Sequence, residues 1–373
     1  MIRRISLLPL LVVSACATVE PQRAGVDYPA EPPRSMPPAS TGAPVSRADE
    51  GDWRAAGSGQ DAAFERSALL TDTVYRNVDV LLQQVERSGA MGVNRGWEAG
   101  ARKGGEWYIE EQRFGDTVIG AGVNRNRVDL IDAGLRAFEW GFQQQAQDGS
   151  FASRDNYVST AYFVAGVAHG IWLLETTGHA RDFSGRIATM RPKLAAAARW
   201  LANANNLSAA RPAMEQFNSR YFLTGYALGA AARVTNELPL AAAGDQLIRE
   251  GISKQNAAGF FTERGGFDVS FQGEALVYLL RYHDHVANAD ARRVIEPSLR
   301  RALAWTESRV NPAGVIQVAN NTRTGANQER DRTGQPRRVS AVAVSRAFGL
   351  ARFVIGEARY ETLARTVATA RQP

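Results

Sequence analysis

Four histidines, a few carboxylates and several arginines set beside tyrosines are the side chains of this 373-residue chain best suited to chemistry. Asp155, Glu263 and Asp268 could supply the two carboxylates, roughly 5–9.5 Å apart, that hydrolysis of a glycosidic bond requires. Asp268, with Ser270, also precedes a helical stretch, where either side chain can cap free N–H groups, so Glu263, which has no such structural role, is the first candidate for the acid. His169 lies among Ala165, Ala168 and Trp172, as a base or, more in keeping with its neighbours, as a packed ring. His179 falls in a short turn. His283 and His285 flank Asp284, but residues two apart on a helix do not share a face, so they read as surface residues and no metal or other cofactor is expected.

The only cysteine, Cys16, follows Arg3, Arg4, an apolar run from Leu7 to Val13 and the small pair Ser14-Ala15. That order is a bacterial lipoprotein signal: a peptidase cuts after small residues, and the new N-terminal thiol is acylated. The run is far shorter than the ~20 residues needed to span a bilayer. Residues 1–15 read as a signal peptide and the mature protein as periplasmic and lipid-anchored; with Ala17 in place of a retention-signal Asp, the resemblance to known lipoproteins implies an anchor in the outer membrane. Without another cysteine there is no disulfide framework, so stability must come from burial. The chain is basic, with 44 Lys and Arg against 38 Asp and Glu. In the envelope this fits an anionic glycan or lipid surface rather than nucleic acid. Residues 16–60, with Pro21, Pro29, Pro32, Pro33, Pro37, Pro38 and Pro44, read as a disordered tether.

From residue 61 to 373 apolar residues recur at three and four, and the segments are too long and alanine-rich for strands. Helices are expected at 61–88, 127–146, 157–177, 186–203, 218–235, 240–255, 271–286, 290–309, 339–355 and 358–370. Short turns join the members of a pair and longer segments join pair to pair. Three of the longer segments open on a glycine and a β-like run: Asp148-Gly149-Ser150-Phe151, Gly259-Phe260-Phe261-Thr262 and Gly314-Val315-Ile316-Gln317. The first glycine interval is twice the second, which places a missing unit near Asn205 and Asn206 and implies a two-helix repeat of about 55 residues. Small residues such as Ala161, Ala165, Gly166, Gly225, Gly229 and Ala230 let inner helices crowd around an axis. The expected fold is therefore all-α, an (α/α) toroid of about five to six helical hairpins with short β-like turns between them.

The hairpin period, the Asp-Gly-Ser-Phe turn and the segment Glu263-Arg264-Gly265-Gly266-Phe267-Asp268-Val269-Ser270-Phe271-Gln272 resemble the α/α-toroid polysaccharide lyases of the alginate lyase and heparinase-like kind. The Asn-Asn-His signature of one alginate lyase family is absent; Asn124-Arg125-Asn126-Arg127 is the nearest segment. The resemblance implies an anionic polysaccharide partner, a monomer, and β-elimination at a uronic acid. That reaction needs a group to neutralise the carboxylate, a base for the C5 proton and an acid for the leaving oxygen. On that basis Arg264 with Asn124 or Asn126 would hold the carboxylate, and Tyr157 or Tyr221 would serve as base or acid beside Glu263. Arg154, Arg220, Asp268, Gln272 and Arg323 would bind substrate at the rim where inner helices begin. A glycoside hydrolase of the same fold, or a non-catalytic glycan-binding protein of envelope assembly, uses the same groove. The segment from Ser88 to Asn126, rich in glycine and tryptophan, reads as a lid or irregular cover, and the loop 312–338 as a basic guide or a solvated insertion.

Overall fold

The computed structural model describes residues 79–96, 107–153, 155–325, 328–331 and 334–372. The leader, Cys16, the tether, residues 61–78 of the first expected helix and Arg154 lie outside the described residues. Among the described residues the chain is helical, with isolated β-bridges and no strand. The α-helices are α1 Asp79–Gln84, α2 Gly115–Arg125, α3 Val128–Gln143, α4 Asn156–Thr176, α5 Ser184–Ala202, α6 Ala204–Gln216, α7 Ser219–Thr235, α8 Leu238–Ser253, α9 Val269–His285, α10 Ala289–Glu307, α11 Ala341–Val354 and α12 Arg359–Thr369.

Burial sorts the helices into two sets. In α4 every residue from Val158 to Leu174 is buried, and α7 and α9 are nearly as enclosed. A helix apolar on all sides belongs inside. Although α4 is long and apolar enough to cross a membrane, it is wrapped by the rest of the fold. Helices α5 and α10 bury a single stripe instead, such as Ala291, Ile295, Leu299, Ala302 and Leu303 of α10, so they lie outside. The inner helices pack in succession, α2 on α4, α4 on α7, α7 on α9 and α9 on α11, each backed by the outer helix that follows it in the chain. Arg346 of α11 donates to Thr117 of α2 at 3.0 Å, joining the last inner helix to the first.

The turn pattern read around Gly149, Gly259 and Gly314 also occurs at Gly89. The flanking residues bridge at Val85–Met91, Gln145–Phe151, Gln255–Phe261 and Val310–Ile316. Each glycine takes a left-handed φ between 81° and 106°. A Cβ on any of them would come within 2.2–2.6 Å of a carbonyl oxygen of the next outer helix, those of Arg136, Ala196, Arg301 and Thr366. Glycine is therefore required twice over, by backbone conformation and by contact.

Two expectations are corrected. In the segment 88–126 the described residues, 88–96 and 107–126, are not an irregular cover: they form 3-10 turns at Gly92–Asn94 and Ile109–Phe114 and then the inner helix α2, which its glycines had disguised. Near Asn205 and Asn206 there is no glycine turn. Asn203 accepts from their backbone N–H groups at 3.0 and 3.4 Å and starts the extra helix α6.

Candidate functional site

The residues expected at the rim divide once their partners are counted. The Glu263 side chain is buried. Its Oε1 accepts from the Ser219 N–H at 2.9 Å and its Oε2 from Arg323 Nη1 at 2.8 Å. Burial pushes its carboxyl above the usual carboxylate range, against the opposing pull of Arg323 and Ser219. Arg323 is also committed, to Glu329 at 3.1 Å and between the rings of Phe217 and Phe271 at 4.4 and 3.4 Å. Asp268 Oδ1 caps α9 through the Ser270 and Phe271 N–H groups, and its Oδ2 accepts from Arg323 N, Thr324 N and Thr324 Oγ1. Gln272 accepts from Phe261 N at 2.8 Å. Gln112 does the same for Met91 N at 2.9 Å one turn pattern earlier, so this glutamine is a repeat fixture rather than a substrate ligand. Glu263, Asp268, Gln272 and Arg323 thus pin loops to helix ends.

The expected tyrosines commit their hydroxyls to separate partners. The Tyr157 hydroxyl donates to Leu201 O at 3.0 Å beside Trp200, and that of Tyr221 to Glu215 at 2.7 Å on the α6 side. Burial raises both phenols. Arg264 occupies a left-handed turn with φ of 51° and reaches Glu329 at 3.3 Å. Asn124 and Asn126 close α2 at the short-turn end, opposite the entry ends of the inner helices, and Asn126 supplies the left-handed C-terminal residue. Loop arginines Arg323 and Arg337 are buried against Glu329 rather than solvated. His283 and His285 are buried as well, contrary to their reading as surface residues.

Polar side chains do converge elsewhere, in the space between α2, α4, α9 and α11. A small cavity, partly open to solvent, is lined there by Arg113, Asp116, Glu274, Tyr278, Arg281 and Arg346 among others. Glu274, Val277, Tyr278 and Arg281 recur at three and four along α9 and so share one face. Glu274 Oε1 takes the Tyr162 hydroxyl, while its buried Oε2 has no partner. Arg281 Nη1 lies 3.2 Å from Asp116 Oδ2, and its buried Nε is unpartnered. Asp116 Oδ2 also meets His169 Nδ1 at 2.9 Å. Burial alone would raise Asp116, but Arg281 and His169 outweigh it and hold the carboxyl well below its ordinary range. Burial and Arg281 depress His169 to about 3, against the attraction of Asp116, so its imidazole is neutral at physiological pH. Farther along, His169 and His285 stack with centroids 5.4 Å apart, Trp172 lies 3.7 Å from His285, and Tyr226 meets His285 Nδ1 at 3.1 Å.

Tyr278 stands apart from the other phenols of the interior. Tyr157, Tyr162, Tyr221 and Tyr226 all commit their hydroxyls, whereas that of Tyr278 has no hydrogen-bond partner among the described residues and borders the cavity. Burial, then the nearby Glu274, keeps it protonated. The signal for this site was present in the chain. Glu274, Tyr278 and Arg281 are polar residues spaced on one face of an inner helix, where each needs either a partner or a ligand.

No protein-family model matches the chain, and no curated protein matches it.

Proposed function

We propose that the five successive hairpins from α2 to α12 close an (α/α) toroid, and that its axial cavity binds and cleaves a uronic-acid-containing polysaccharide by β-elimination. The observation that carries this reading is the uncommitted Tyr278 hydroxyl in a cavity where Arg113, Arg281 and Arg346 outnumber Asp116 and Glu274. Arg281 and Arg346 would neutralise the uronate carboxylate and make the C5 proton acidic. Glu274 Oε2 would take that proton as the C4–O bond breaks and the C4–C5 double bond forms, and Tyr278, one turn along α9, would deliver its proton to the leaving oxygen. Hydrolysis by paired carboxylates is less well supported, because Asp116 is already engaged by His169 and Arg281. Acylation at Cys16 would hold the protein in the periplasm at the outer membrane.

The experiment is incubation of the purified protein with a panel of uronate polymers, monitored for the ultraviolet absorbance of unsaturated ends. Absorbance that rises with the parent and falls ~10²–10⁴-fold in Tyr278→Phe supports the reading. New reducing ends without absorbance would assign hydrolysis instead, and retained binding with neither product would assign a non-catalytic glycan-binding protein.

A further inference from the structure

One carboxylate ties together four of the helices around the cavity. Asp116 of α2 is 5% exposed, and its Oδ2 meets His169 Nδ1 of α4 at 2.9 Å and Arg281 Nη1 of α9 at 3.2 Å. Its Oδ1 accepts from Thr117 Oγ1 at 3.0 Å, and that hydroxyl oxygen in turn accepts from Arg346 Nη2 of α11 at 3.0 Å. Both arginines line the cavity with Asp116, so the two cations assigned to the uronate share a single anchor. Arg220, whose one carboxylate neighbour among the described residues is Asp155 at 3.5 Å, is absent from that wall. The anchor is fixed from behind as well. An ionised carboxylate only accepts, so His169 Nδ1 carries the proton, and the ring stacks on His285 and Trp172 with centroids 5.4 and 5.9 Å away.

What Asp116 takes from Arg281 decides what is left of it. Nη1 is spent on Asp116, whereas neither Nε nor Nη2 donates a hydrogen bond among the described residues. Those two nitrogens form the side edge of the guanidinium, which matches the paired oxygens of a carboxylate. The same edge grips carboxylates elsewhere in this chain, Arg127 on Asp129 at 2.8 and 2.7 Å and Arg186 on Glu139 at 2.5 and 2.7 Å. Arg281 is 6% exposed, so leaving that edge empty costs stability until a partner fills it.

We propose that Asp116 is a positioning residue: it holds Arg281 by one end nitrogen and Arg346 through Thr117, which leaves the side edge of Arg281 set to receive a carboxylate of the substrate. This rests on the uronate reading given above. Asp116 carries the same charge as the group it helps to bind, and its two effects on that group have opposite signs. Its charge repels an entering acid, while its contacts keep the arginines in place. Were neutralisation its only role, removing the charge would tighten the acid; positioning requires that removal weaken it.

The test is titration calorimetry of galacturonate on the purified protein. Asp116→Asn keeps the shape and removes the charge, and is expected to weaken binding about tenfold, the size of one charge-assisted contact. Thr117→Val, at a half-buried position, releases Arg346 without changing any charge and is expected to weaken binding about threefold. No weakening in Thr117→Val counts against the proposal even where Asp116→Asn does not fold. A further readout is blind to a merely structural loss: millimolar guanidinium should restore uronate-polymer turnover to Arg281→Ala, but not to Arg281→Ala combined with Asp116→Asn, because only ionised Asp116 holds the added cation in place. Unchanged or tighter galacturonate binding in Asp116→Asn, or equal rescue of both variants, overturns the positioning role and leaves the uronate reading standing. A parent that neither binds galacturonate nor turns over any uronate polymer defeats the uronate reading, and the positioning role falls with it.

Discussion

Replacing Glu263 by alanine separates a structural carboxylate from a catalytic one. The side chain is 1% exposed and makes two contacts that matter: Oε1 with the Ser219 N–H that opens α7, and Oε2 with Arg323. Breaking a buried ion pair from one side costs about 3–5 kcal/mol, because the partner charge stays behind uncompensated. Arg323 retains Glu329 at 3.1 Å, which favours the lower half of that range. The orphaned Ser219 N–H adds about 1 kcal/mol or more. A total near 4 kcal/mol corresponds to a fall in melting temperature of about 6 °C for a domain of this size. Far-ultraviolet circular dichroism would record the melt, and activity measured well below it should persist. A variant that melts within about 1 °C of the parent but loses activity would refute the structural assignment and restore Glu263 as the acid of the reaction.

Other outcomes follow from the same contacts. Tyr157→Phe and Tyr221→Phe should each cost about 1 kcal/mol in denaturant unfolding for one lost hydrogen bond and leave turnover unchanged, in contrast to Tyr278→Phe. Because His169 is depressed to about 3 from an unfolded value near 6.5, the unfolded chain binds the extra proton between those limits. Stability should therefore be full above pH ~6.5 and fall as pH drops towards 3, by roughly 2 kcal/mol at pH 5; urea titrations should find a shallower decline in His169→Asn. Gly259→Ala forces a side chain into φ of 106° with a carbonyl oxygen 2.6 Å away, and should cost about 3 kcal/mol in the same assay.

The order of helices from 127 onward could be read from apolar spacing because most of them satisfy one rule, a buried stripe or an apolar cylinder. Two helices escaped. In α2, Gly115, Gly120 and Gly122 look like loop residues, yet a Cβ at Gly115 or Gly122 would meet α3 at 2.6–2.8 Å, so they are spacing devices within a helix. Helix α6 replaces one repeat turn, and periodicity foresees only what repeats. For the candidate site, the cavity is lined by arginine, tyrosine and carboxylate, but none of the lining residues is one of those expected from the sequence. Polar residues near helix ends, such as Glu263 and Asp268, are drawn into capping N–H groups and fastening loops, a demand every helix start makes. The spacing of Glu274, Tyr278 and Arg281 is visible in the chain, but it acquires meaning only once α9 is known to face an internal space.

The four turn glycines have a consequence for how the chain comes apart. Each turn rests on the outer helix of the hairpin that comes after it, never on its own, so successive units are overlapped like roof tiles. Pulling from the C-terminus would strip tiles one by one, each departure uncovering the turn beneath. A fragment cut between hairpins would expose a bare glycine shelf at its trailing edge, and it should recover its fold when the missing unit is supplied as a separate peptide.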